Sequence, residues 1–152
     1  MVSLVIDTDT ASDDAVAILQ ALGDPTASIR AITLVAGNVP LDMAEVNALV
    51  TLDIGGAEDI PVYRGCASPL LRVLKTAQFV HGTNGMSDIS LPSTNRTSRS
   101  EHAVDALLEI AQTEPGEHVL VTLGPLTNIA AAITLDPLFL TRFQRVVMML
   151  GA

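Results

Sequence analysis

Four short, continuous apolar runs constrain the fold of this chain more than any other feature: VSLVI at 2–6, IRAITLVAG at 29–37, HVLVTL at 118–123 and RVVMML at 145–150. A strand with one wet face alternates apolar and polar residues, whereas a strand covered on both faces is apolar throughout. Runs of this kind predict a parallel sheet between two layers of helices. The intervening segments supply those layers. AVAILQAL (15–22) has helical spacing and ends at Gly23, and a helix from Pro40 to Ile54 closes on Gly55-Gly56. Further helices are predicted near 100–113 and over LTNIAAAITL (126–135), and IPVYRG (60–65) reads as a short third strand. The alternation β-α-β-α-β-loop-α-β-α-β predicts right-handed crossovers and an open, mainly parallel α/β sheet with helices on both faces. A chain of 152 residues holds one such domain, 1–152.

Apolar residues make up 49% of the chain and aromatics 3%, with no Trp, so the interior must be aliphatic. Mean hydropathy is +0.44, yet no apolar run reaches the roughly 18 residues that span a bilayer. The start, MVSLVIDTD, lacks the basic region of a signal peptide, which predicts a cytoplasmic protein. A net charge of −9, from 17 acidic against 8 basic residues, repels phosphate backbones and disfavours nucleic acid as a partner. Cys66 is the only cysteine, which excludes an internal disulfide and a Cys-based zinc site.

The chemistry-bearing stretch is Asp7-Thr8-Asp9-Thr10-Ala11-Ser12-Asp13-Asp14, with four carboxylates in eight residues between a buried strand and a helix. In an open parallel sheet, ligands bind at the carboxyl ends of the strands, where this loop falls. Ser12 as N-cap, with Asp13 and Asp14 in the first turn, explains part of the pattern by helix capping alone. It leaves Asp7 and Asp9 unexplained, because both desolvation and mutual repulsion raise their energy at the end of a buried strand. A hard cation relieves both. Ca²⁺, which accepts many oxygens in irregular geometry, suits the loop better than Mg²⁺. A long irregular segment, 66–99, rich in Ser, Thr, Gly, Asn and Pro, is the other stretch where function is expected.

The run VIDTDTASDDAVAI resembles the N-terminal signature of the inosine–uridine-preferring nucleoside hydrolases, DxDxxxDD before a small-residue helix. Many members carry Pro-Gly where this chain has Thr10-Ala11, a departure in loop shape that leaves the carboxylate spacing unaltered. Three further motifs are similar and occur in the family's order: Gly37-Asn38 after the second strand, His81-Gly-Thr-Asn-Gly-Met86 in the long loop, and Gly124-Pro-Leu-Thr-Asn128 at a strand-to-helix turn. Val147-Met-Met-Leu-Gly151 resembles the apolar strand and glycine that come next. The resemblance implies a Rossmann-like fold of nucleoside hydrolase type and hydrolysis of the N-glycosidic bond of ribonucleosides. It implies that Asp9, Asp14 and the backbone carbonyl of Leu123 hold Ca²⁺, with Asp9 also the general base. Asp13, Asn38 and His81 are implied to face the substrate, while Asp7 and Asn128 brace the site from behind. His102 and His118 lack such context and read as structural.

Two other readings stay open at this point. A strand followed by DxDx(T/V) also opens the haloacid-dehalogenase-type phosphatases, although Ala11 stands where those enzymes carry Thr or Val and their pattern does not include Asp13-Asp14. The chain also ends two residues after an apolar strand, and the family's last calcium-ligating Asp lies in its C-terminal half. These features make the chain look like the N-terminal part of the family's domain, cut after the fifth strand. That implies a fragment that binds metal and ribose weakly, a homo-oligomer, or a chain completed by a complementary C-terminal half.

Overall fold

The computed structural model describes residues 1–150. Its centre is a five-stranded sheet in which every pairing is parallel: β1 (Val2–Thr8), β2 (Ala27–Leu34), β3 (Val62–Arg64), β4 (His118–Thr122) and β5 (Arg145–Met148). The spatial order is β3-β2-β1-β4-β5. Five helices connect the strands: α1 (Ser12–Gly23), α2 (Leu41–Ile54), the single turn α3 (Gln78–His81), α4 (Ala103–Thr113) and α5 (Thr127–Leu135). A 3-10 turn at Phe139–Arg142 precedes β5. No described helix is long and apolar enough to cross a membrane.

Two cores lie on opposite faces of the sheet, as alternate side chains of the same buried strands must. Val5, Ala31 and Leu120 pack against Leu107 and Ile110 of α4, Ile129 of α5, and Phe139. Ile6, Ile32 and Leu34 pack against Ile18 of α1 and Leu49 and Leu52 of α2. The two cores are aliphatic except for Phe139 and Phe143, which meet edge to face at 5.1 Å. β5 is an edge strand, and both Val147 and Met149 remain exposed.

The observed elements shift some expected boundaries. β1 runs two residues further than its apolar run, so Asp7 lies within the strand. β2 stops at Leu34 and leaves Val35 to Gly37 as the loop that leads to the site. The N-cap of α1 is Ala11, with no side-chain cap; Ser12 is the first helical residue, which corrects its expected capping role. The 66–99 segment holds α3 and an isolated bridge between Tyr63 and Arg99 but is otherwise irregular. Gly151, the last residue of the fifth motif, lies outside the described residues.

The strand order sets the location of the loop. The chain moves from β1 to β2 and β3 on one side, then returns to place β4 and β5 on the other. Between β1 and β4 the connections leave in opposite directions and open a crevice at the carboxyl ends of the strands. Asp9 follows the end of β1, and Leu123-Gly124 follows the end of β4.

Candidate active site

Asp9 is at the centre of this crevice. It is 2% exposed, and its Oδ2 accepts a hydrogen bond from the backbone N–H of Asn38 at 2.5 Å. Its Oδ1 is buried and has no hydrogen-bond partner among the described residues. Two glycines make room for this carboxylate. A Cβ on Gly37 would lie 2.1 Å from Asp9 Oδ2, and a Cβ on Gly124 would lie 3.0 Å from Asp9 Oδ1 and 2.8 Å from its amide nitrogen. The loops after β2 and β4 thus close on one carboxylate from two sides. In front of it is a cavity of about 400 Å³ whose walls include Gly37, Asn38, Lys75, Leu123 and Gly124.

Asp14, in the first turn of α1, is 3% exposed and accepts from Thr8 Oγ1 at 2.6 Å. Burial pushes its carboxyl up to about 7, the Thr8 hydroxyl opposes that shift, and the neighbouring Asp9 adds to it. Asp7 is fully buried on β1, where its Oδ2 accepts from Thr33 Oγ1 at 2.7 Å and from Asn128 Nδ2 at 2.8 Å. Burial raises Asp7 to about 7 as well, against those two hydrogen bonds, and its Oδ1 has no partner among the described residues. Two carboxylates with their charge disfavoured, Asp7 and Asp14, and two orphaned oxygens, on Asp7 and Asp9, form a donor set suited to a hard divalent cation, which compensates the charge and fills the vacant lone pairs.

Asn128, at the start of α5, is 0% exposed and fully engaged. Besides the bond to Asp7, its Nδ2 donates to the Leu34 carbonyl at 2.9 Å, and its Oδ1 accepts from the Cys66 amide at 2.9 Å. One side chain therefore joins the ends of β1, β2 and β3. Gly65 permits it, since a Cβ there would lie 2.3 Å from Asn128 Oδ1.

The remaining sequence-selected residues lie at the rim. The Asp13 side chain is 58% exposed. His81, at the end of α3, places Nδ1 3.4 Å from Ser12 Oγ and 3.8 Å from Asp13 Oδ1. The fold thus brings His81 to the aspartate loop across 69 residues of sequence. His102 and His118 lie elsewhere: His102 Nδ1 caps α4 by accepting from Val104 N, and His118 bonds Ser3 and Glu114.

Among the described residues, the group whose metal-ligating atoms come within 4.8 Å of one another is Glu114, Glu117 and His118. It lies at the amino end of β4, away from the crevice, and Arg30 already neutralises Glu114 through two hydrogen bonds. The aspartates at the crevice are better placed by burial and orphaned oxygens than by mutual proximity.

Thr33 and Gly65 stand outside every motif of the sequence, and Thr8, Gly37 and Gly124 lie within motifs that assign them no role. Their contacts, to Asp7, Asn128, Asp14 and Asp9, form only in the fold. Only the glycines carried a signal, as each directly follows or closely trails a strand.

Comparison with known proteins bears on the family and the fold. A family model described as inosine-uridine preferring nucleoside hydrolase matches residues 4–152. Uridine nucleosidase 1 of Arabidopsis thaliana is 41% identical over 98% of this chain and 45% of its own length. The inosine-uridine preferring nucleoside hydrolase of Leishmania major is 39% identical over 97% of this chain and 48% of its own. The chain thus spans about half the length of the curated relatives it matches. Among solved structures, a purine-preferring ribonucleoside hydrolase from Gardnerella vaginalis superposes with a TM-score of 0.93 at 34% identity, covering 99% of this chain and 49% of that one.

Proposed function

The chain belongs to the inosine-uridine preferring nucleoside hydrolase family, and from that premise we propose that its crevice hydrolyses the N-glycosidic bond of ribonucleosides to free base and ribose. The observation that supports this most is Asp9, which lines a cavity of about 400 Å³ and keeps a buried Oδ1 with no hydrogen-bond partner among the described residues. In this reading Asp9, Asp14 and the Leu123 backbone carbonyl hold a Ca²⁺ ion. When bound, such an ion supplies a concentrated positive charge that balances the carboxylates and acidifies water.

The chain's own groups then carry out the steps. Asp9 Oδ1, with no donor competing for it, accepts the proton of the attacking water as general base. Asp9 Oδ2 stays on the Asn38 amide, which holds the carboxylate in one rotamer. Asp13, exposed at the rim, accepts hydrogen bonds from ribose hydroxyls. With Asn38 it orients the sugar for the oxocarbenium-like transition state that governs glycoside cleavage generally. His81, held beside Ser12, faces the base side of the substrate. Asp7 and Asn128 brace the ends of the strands behind Asp9.

Asp9, Asp14 and one carbonyl offer fewer oxygens than the six to eight Ca²⁺ takes, which leaves the rest to water and ribose hydroxyls. The expected affinity is therefore weak, with a dissociation constant on the order of 10⁻⁴ to 10⁻³ M, and turnover by the 152-residue chain is expected to be slow. Calorimetric Ca²⁺ titration of that chain, with a free-ribose assay on inosine and uridine, tests the reading. Calcium-dependent ribose release that disappears in Asp9→Asn is the expected result. No calcium binding up to tens of millimolar, or release of phosphate from phosphate esters instead, sinks it.

A further inference from the structure

The two loops that meet at the crevice are tied together by a buried side chain that belongs to neither. Asn47, midway along α2, is 1% exposed, and its Nδ2 donates to the Thr10 carbonyl at 3.0 Å and to the Asn84 carbonyl at 3.0 Å. Both partners are carbonyl oxygens, so the nitrogen of the amide must face them and both of its N–H groups are spent. Thr10 lies between Asp9 and the first turn of α1, fully buried, and its amide donates to the same Thr8 hydroxyl that donates to Asp14. Asn84 stands three residues beyond His81 in the other loop. That loop approaches α2 closely at Gly85, whose φ is +74° and whose missing Cβ would lie 2.4 Å from Val39 Cγ1 and 3.2 Å from Asn47 Nδ2.

Packing alone does not require an amide here. The neighbouring buried positions of α2 include Ala44, Ala48, Val50 and Thr51, and the Thr51 hydroxyl is spent within the helix on the Asn47 carbonyl, so an apolar residue at 47 would serve that face without desolvating a polar group. Both donors are used outside the helix, on the two loops that carry the site. We propose that Asn47 is a positioning residue that fixes the His81 loop against the aspartate loop, so that the groups facing metal and those facing substrate keep one relative geometry. The inference rests on reading these loops as two walls of one nucleoside site.

Residue-by-residue amide hydrogen exchange on the metal-free chain tests the tether directly. Asn47→Ala removes both donors. Asn84→Ala removes only the loop's internal bonds from Met86 N and Asp88 N and to the Ile89 carbonyl, and it keeps the carbonyl that Asn47 holds. Loss of two hydrogen bonds is expected to speed exchange about tenfold at Thr10 and at Gly85 to Asp88 together. The interior of β1 should be unaffected. Asn84→Ala should speed exchange in its own loop only. An Asn47→Ala protein in which one loop responds alone, or neither does, overturns the proposal. If Asn47→Ala does not fold, Gly85→Ala separates the loop from Asn47 from the other side, and Thr10 exchange must again rise.

Calcium alone, titrated into the same samples, gives a second readout. Amide signals of Asp13 and Asp14 should move in wild type and in Asn47→Ala, while a coupled shift at Asn84 and Gly85 should appear only in wild type. A coupled shift that persists without Asn47 overturns the proposal. Absence of any calcium response at Asp13 and Asp14 counts against the metal site instead, and the exchange data then decide the tether by themselves.

Discussion

The side-chain amide of Asn128 donates to Asp7 Oδ2 at 2.8 Å, joining the start of α5 to the end of β1 across 121 residues of sequence. The same amide group also engages the Leu34 carbonyl and the Cys66 N–H, so three strand ends share one fastening point beneath Asp9. Asn128→Ala removes three hydrogen bonds at once, leaving the Leu34 carbonyl and the Cys66 amide without that partner while Asp7 Oδ2 keeps the Thr33 hydroxyl. Each unsatisfied group costs about 1–3 kcal/mol, so a loss of about 3 kcal/mol or more in urea-unfolding free energy is expected. A loss under about 1 kcal/mol would show that water replaces the amide at little cost.

Gly37 should be irreplaceable for the site and far less so for the fold. A Cβ there would lie 2.1 Å from Asp9 Oδ2 and 2.6 Å from Pro125 Cδ, so Gly37→Ala must displace the carboxylate. Calcium affinity is expected to fall about tenfold or more, as when the support of a metal ligand is disturbed. Gly23→Ala is the matched control, because nothing lies within 4 Å of a Cβ at the end of α1. It should leave calcium binding unchanged and gain roughly 0.4–1 kcal/mol of stability from the reduced freedom of the unfolded chain.

Calcium should stabilise the folded chain by mass action. At a concentration one hundred times the dissociation constant the gain is about 2.7 kcal/mol, or a rise in Tm of roughly 5–10 °C for a domain of this size. A chelator should reverse the rise, and Asp14→Ala should abolish it. An undiminished rise in Asp14→Ala would move the ion elsewhere, with Glu114, Glu117 and His118 the next group to test.

Acid stability should depend on Glu114. The Arg30 guanidinium, donating through two nitrogens, holds the Glu114 carboxyl down to about 2, and His118 adds to the effect. A folded-state value below the usual 4.5 means that the unfolded chain binds the proton more readily. The stabilisation is therefore complete above about 4.5 and is lost as pH falls towards about 2. Unfolding free energies measured from pH 7 down to pH 2 should diverge between wild type and Glu114→Gln. Wild type should lose its advantage within that acid window, and parallel curves across it would refute the pairing.

Much of the architecture was legible in the sequence because the signals that set it are local. An apolar run covered on both faces differs from an alternating one within five residues, so β1, β2 and β4 were readable from their own composition, whereas β5, equally apolar in sequence, is an edge strand with Val147 exposed. The boundaries were less so. β1 extends through Asp7 because Thr33 and Asn128 solvate that carboxylate, and neither partner is near it in sequence. Ser12 has the composition of an N-cap, yet the loop turns at Ala11, and the hydroxyl faces His81.

The sequence by itself determined the element order, the aliphatic double core, the family and the loop in which the carboxylates are concentrated. Spacing and periodicity carry these, and they survive without any long-range contact. Only the tertiary structure decided which oxygens are free, which glycines make room for Asp9, and how Asn47 and Asn128 hold the loops in place. Those properties belong to pairs of residues 26 to 121 positions apart, from Asp7 and Thr33 to Asp7 and Asn128. They arise when the sheet order brings the end of β1 between β2 and β4 and removes water from the groups that meet there.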